Sequence, residues 1–99
     1  MDLGLKGMKA VLAGASKGIG RATAEVLAAE GCDVAICARG QEAVDATVAS
    51  LKAKGVNAHG DSVDLGDADA YRRWVDHAAE RIGGIDIFVC FATGSGGPP

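Results

Sequence analysis

The segment Gly14-Ala15-Ser16-Lys17-Gly18-Ile19-Gly20 follows the apolar run Met8-Lys9-Ala10-Val11-Leu12-Ala13 and opens an amphipathic helical pattern. A strand, a glycine turn and a helix in that order constrain the fold more than any other feature of the chain. Glycine meets two needs here: the chain turns sharply, and its backbone comes close to a bulky anion with no Cβ in the way. The first helical turn then presents unpaired N–H groups and the positive end of its dipole. A P-loop requires Gly, four residues, then Gly-Lys-Ser/Thr, and no such string occurs. G-x-G-x-x-G also fails, because it would need a small residue at Thr23 and would leave Gly14 unexplained. What stands is G-x-x-x-G-x-G, a seat for phosphate.

Downstream, the same phrase repeats. Apolar spacing predicts a first helix with Ile19, Ala22, Thr23, Val26 and Leu27 on one face, a second from about Gln41 to Lys54 with Val44, Val48 and Leu51 inward, and a third from about Asp67 to Ile82 with Tyr71, Trp74, Val75, Ala78 and Ile82 inward. Gly31, Gly55 and Gly83 stop them, and Asp67 is placed to cap the third. Short apolar runs follow each stop, at 34–38, 56–59 and 85–91, and read as strands. With no Asn-Gly or Asp-Gly hairpin signal between them, the alternation predicts an α/β fold: a parallel sheet with helices on both faces, β1-α1-β2-α2-β3-α3-β4, in spatial order 3-2-1-4. Residues 1–92 are expected to form one domain, and 93–99, Thr-Gly-Ser-Gly-Gly-Pro-Pro, a flexible tail of linker composition. Tyr71 and Trp74 read as a core stripe, not as a base-stacking platform.

Several function classes are disfavoured by composition. The 99 residues leave no room for a second domain. Net charge is −3 with Lys and Arg scattered, which gives no electrostatic footprint for nucleic acid. The start Met1-Asp2-Leu3-Gly4-Leu5-Lys6 has neither the basic head nor the apolar stretch of a signal peptide, and no run reaches membrane-spanning length, so a cytoplasmic location is expected. Cys32, Cys37 and Cys90 contain no C-x-x-C pair and are expected to be buried small hydrophobes. His59 and His77 stand apart from other ligand types, so no metal site is expected.

In an open parallel sheet, ligands lie beyond the carboxyl ends of the strands, where strand order reverses. That rule selects the Gly14–Gly20 loop, Ala38-Arg39-Gly40, Asp61-Ser62-Val63-Asp64-Leu65 and Ala92-Thr93-Gly94. It excludes Asp33, which lies before β2. After β2 there is no carboxylate to accept from a ribose 2′-hydroxyl, while the Arg39 guanidinium suits a 2′-phosphate, so NADP(H) fits better than NAD(H). Lys17 adds a second positive charge in the loop. Asp64, with the Leu65 backbone, can accept from an adenine amino group, or can serve as a turn or capping residue.

The residues Gly14 to Ala22, Ala38-Arg39, Asp64-Leu65 and Gly84-Ile85-Asp86-Ile87-Phe88-Val89 resemble the N-terminal part of a short-chain dehydrogenase/reductase over nearly the whole chain. The resemblance implies a Rossmann-type, partial doubly wound fold and an NADP-dependent oxidoreductase acting on a carbonyl or secondary alcohol. It implies cofactor contacts at Gly14, Ser16, Lys17, Gly18, Ile19, Gly20, Arg39, Asp64, Leu65 and Ala92. Two departures stand out: Ala13 replaces the Thr common before the first glycine, and Cys90-Phe91-Ala92-Thr93 stands where the family has Asn-Asn-Ala-Gly. The family also uses a Ser and a Tyr-x-x-x-Lys for proton transfer. The sole tyrosine is Tyr71, with Val75 four residues on, so no catalytic residue is assigned. Three readings follow: the cofactor-binding part of a truncated reductase, a non-catalytic NADP-binding module, or an interaction fragment whose open β4 edge drives self-association.

Overall fold

A computed structural model describes residues 4–91; Ala92 and the expected tail at 93–99 lie outside the described residues. Four strands, β1 (Lys9–Ala13), β2 (Asp33–Ala38), β3 (Ala58–Ser62) and β4 (Ile87–Cys90), alternate with α1 (Gly18–Ala29), α2 (Gln41–Lys52) and α3 (Ala68–Ile82). The sheet has the order β3-β2-β1-β4, and every pair is parallel. Central β1 is apolar on both faces because helices cover both. Ala10 and Leu12 point into a core with β2, α1 and α2, whereas Val11 and Ala13 point into a second core with α3. Burying a side chain such as Leu12 or Ile36 contributes about 2 kcal/mol.

Helix ends follow the expected chemistry. Asp67 caps α3 by accepting from Ala70 N at 3.1 Å, and Gly83 ends it in the left-handed region at φ 88°. The inward stripe of α3 is Trp74, Ala78 and Ile82, with Tyr71 and Val75 packed beside it. Tyr71 and Trp74 stack with centroids 6.5 Å apart.

The face of α1 differs from expectation. Gly20, Ala24 and Ala28 are its buried residues, while Ile19 is 77% and Val26 59% exposed. The reason is a close approach: a Cβ on Gly20 would stand 2.5 Å from Gly14 O and 2.9 Å from Ala15 Cα. A helix docked that tightly presents its smallest side chains inward, so the i, i+4, i+8 row of small residues outweighs the row of large ones. Strand β3 is also displaced, to 58–62 from the expected 56–59, and β4 is shorter than 85–91. Asp61 and Ser62, expected in the loop after β3, are the last two residues of the strand. Cys32 and Cys37 are buried as expected, but Cys90 is exposed, because α3 packs on β1, β2 and β3 and leaves the β4 face uncovered.

Candidate cofactor site

The carboxyl ends of β1, β2 and β3 bring the Gly14–Gly20 loop, Arg39 and Asp64 to one end of the sheet. The loop is anchored from β2: Cys37 O accepts from Gly14 N at 2.7 Å and from Ala15 N at 3.3 Å. Burial pushes the Cys37 thiol up to about 12, which leaves it an inert packing group beneath the loop. From α2, the buried Thr47 hydroxyl donates to Ala43 O at 2.8 Å and lies 3.4 Å from Ser16 O. Sequence reading missed Thr47, although its place between Val44 and Leu51 on the inward stripe of α2 marked it as a buried hydroxyl in need of partners.

Lys17 is extended at the N-cap of α1 and makes no side-chain capping hydrogen bond, and the first turn carries no acidic residue. That helix end therefore has no side chain of its own to offset the positive end of its dipole. Gly18 turns at φ 59°, and a Cβ there would meet no atom within 4 Å, so open space borders the turn. Ser16 is buried beneath the loop, whereas Lys17, Gly18 and Ile19 are exposed along it.

At the end of β2, Arg39 is exposed and its Nη2 donates to Asp64 Oδ1 at 3.2 Å. Asp64 also accepts from Gly66 N at 2.9 Å, which makes it the pivot of a turn. The Gly66 N–H first, and then the Arg39 guanidinium, hold the Asp64 carboxyl below the usual carboxylate range. Ser62 Oγ, a second contact missed in sequence, donates to Arg39 O at 2.6 Å and fixes the backbone from which the guanidinium extends. Leu65 turns its side chain into the α3 core, so only its backbone is offered to the site. Ala92 lies outside the described residues.

Asp33 stands at the opposite end of β2. It pairs with Lys9 Nζ at 2.6 Å and accepts from Asn57 N at 3.0 Å, consistent with its exclusion from a ribose site. Tyr71 packs on the α3 side of the sheet, where burial first, and then Cys90, push its hydroxyl up to about 12. A groove between α3 and β4 is lined by Ala68, Tyr71, Arg72, Val75, Asp76 and Phe88.

A tight glycine loop, a helix N-terminus without a protein cap and an exposed cation after β2 fit a dinucleotide at this end of the sheet. Comparison with known proteins agrees on the fold family. The family model described as short chain dehydrogenase matches residues 8–99. A short-chain dehydrogenase/reductase from Arabidopsis thaliana is 36% identical over 88 residues, covering 89% of this chain and 35% of the relative. Among solved structures, a short chain dehydrogenase from Burkholderia cenocepacia in complex with NADP superimposes with a TM-score of 0.82 at 44% identity, covering 85% of this chain and 35% of that one. An NAD+-bound xylitol dehydrogenase superimposes with a TM-score of 0.81 at 33% identity, covering 85% of this chain and 32% of that one. The chain thus spans about a third of the length of each of these proteins. Sheet order, loop and sequence together place the chain in the short-chain dehydrogenase/reductase family.

Proposed function

We propose that residues 1–92 form the NADP(H)-binding unit of a short-chain reductase or dehydrogenase, which moves hydride between the nicotinamide and a carbonyl or secondary alcohol. The observation that carries the cofactor choice is Arg39: its side chain is 82% exposed at the end of β2, where a cofactor lacking the 2′-phosphate would call for a carboxylate. In this reading Gly14, Ser16, Gly18, Ile19 and Gly20 seat the pyrophosphate, Lys17 and Arg39 take the 2′-phosphate, Asp64 and the Leu65 backbone meet the adenine, and Ala92 is a further cofactor contact. Family membership supports the reaction class, and the NADP of the Burkholderia neighbour and the NAD+ of the xylitol dehydrogenase support a nicotinamide dinucleotide, leaving the choice between the two to Arg39. The bound cofactor would supply or accept the hydride. The residues of this chain bind and orient it, since no Tyr-x-x-x-Lys occurs among the 99 residues. Three cysteines free of disulfides suit a cytoplasmic setting.

Titration with NADPH and NADH tests the reading. NADPH binds in the micromolar range and more tightly than NADH, and Arg39→Ala weakens it about tenfold, equivalent to about 1.4 kcal/mol. Equal binding of the two cofactors, or none, contradicts it.

A second property, self-association through β4, is favoured by a separate observation. Among the described residues β4 pairs with β1 alone, and Phe88 (44% exposed) and Ile85 (40% exposed) stand near its free edge. Sedimentation of the chain at rising concentration shows dimers that Phe88→Lys disperses; a monomer throughout rules this out.

A further inference from the structure

The Arg39–Asp64 pair has a bearing on cofactor choice beyond the presence of a cation. Asp64 Oδ1 accepts from Gly66 N at 2.9 Å, so the carboxylate is pinned in its turn. Ser62 Oγ donates to Arg39 O at 2.6 Å, so the backbone that carries the guanidinium is pinned as well. Between two fixed bases, the long Arg39 side chain reaches Asp64 through Nη2 at 3.2 Å, and the pair lies in solvent. A single contact of this kind is weak and screened. A phosphomonoester carries more negative charge than a carboxylate and can take two guanidinium N–H groups at once, so it outcompetes Asp64 for the same cation. A cofactor with a free 2′-hydroxyl offers no such competition and leaves the pair in place.

We propose that Asp64 is the resident anion of Arg39 and is displaced by the 2′-phosphate of the cofactor, so that this carboxylate limits how strongly the site prefers the phosphorylated dinucleotide. Asp64 is then a specificity-determining residue that acts through Arg39. The inference rests on the reading that Arg39 receives the 2′-phosphate.

The test uses the 99-residue chain and two small probes, 2′,5′-ADP and 5′-AMP, with affinities measured by calorimetry. Their ratio isolates the 2′-phosphate, because adenine and 5′-phosphate contacts are common to both. Asp64→Asn removes the charge and keeps an oxygen for Gly66 N; it raises the 2′,5′-ADP to 5′-AMP affinity ratio about threefold, the range of a single exposed ion pair. In an Arg39→Ala background the same substitution leaves the ratio unchanged, since the competitor has lost its object. A flat or lowered ratio in the single variant overturns the proposal while the NADP reading survives. A rise that persists without Arg39 also overturns it, because Asp64 would then act by direct repulsion. If the unsubstituted chain shows no preference and Arg39→Ala changes nothing, the NADP reading falls and this inference with it. Asp64→Ser, which also keeps an acceptor for the turn, stands in if the Asn variant loses its far-ultraviolet helical signal.

Discussion

The two ends of this one sheet are built in opposite ways. At the amino end every strand start is tied by a short polar contact: Lys9 Nζ to Asp33 at 2.6 Å, Asn57 N to Asp33 at 3.0 Å, and Lys9 N to Asp86 at 2.8 Å. Charges there satisfy one another and are partly withdrawn from solvent. At the carboxyl end α1 starts without a side-chain cap, and Arg39 and Asp64 meet in the open. A closed end stabilises the strand alignment, which leaves the other end available for groups whose partners come from outside.

Substitutions at the two ends should therefore separate stability from binding. The largest effect is expected where the two are joined, at Gly20. Gly20→Val places carbon against Gly14 O and Ala15 Cα and costs about 3 kcal/mol in urea unfolding, with loss of NADPH binding because the loop moves. Unchanged stability would show that α1 has slack against β1.

Next comes the amino end. Asp33→Ala removes the acceptor for both Lys9 and Asn57 and costs about 2 kcal/mol, with the affinity of the folded chain for NADPH unchanged. The Lys9 ammonium, more than the opposing effect of burial, holds the Asp33 carboxyl below its ordinary value. Its contribution is present above the unfolded carboxylate pKa and is lost as pH falls through the lowered folded value. Unfolding followed from pH 6 down to pH 2 should thus show a smaller acid loss in Asp33→Ala than in the parent. A weakened cofactor affinity in this variant would mean that the two ends are coupled.

Arg39→Ala gives the mirror image: NADPH binding falls about tenfold, and stability stays within about 0.5 kcal/mol because the side chain is exposed. The smallest effect belongs to His59, whose Nδ1 accepts from Arg81 Nη2 at 3.2 Å. Burial first, and then Arg81 and Lys52, lower its pKa, while Asp61 and Asp33 oppose them. The folded state favours neutral His59, so this contribution is present above the unfolded value near 6.5 and fades as pH falls through the folded one. His59→Gln should flatten the stability profile between pH 7 and pH 5 without touching cofactor binding; an unaltered slope would assign that slope to other groups.

What the sequence made legible was set by patterns of large apolar residues and glycines. The order 3-2-1-4, the stripe of α3 and the Asp67 cap follow from such patterns and appear in the structure. The face of α1 was misread because periodicity favours big side chains, while the docking of that helix over Gly14 demands small ones. Strand β3 was misplaced because Gly60 and Asp61 look like turn residues. In the fold Asp61 is satisfied within the strand by Trp74 Nε1 at 3.1 Å and Arg81 Nη1 at 3.1 Å. At the candidate site, the glycine loop and Arg39 were legible from spacing and charge. The contacts of Asp64 with Arg39, Ser62 with Arg39 and Thr47 with Ser16 join residues more than twenty positions apart, and no local pattern reports them.

The central claim is that cofactor binds at the carboxyl end of the sheet and nowhere else, and amide chemical-shift mapping of the labelled chain during NADPH titration tests it most directly. The account predicts perturbed amides from Gly14 to Gly20 and at Arg39 and Asp64, with those of Lys9, Asp33, Asn57 and Asp86 unmoved. Shifts confined to the amino end, or to the groove between α3 and β4, would contradict it.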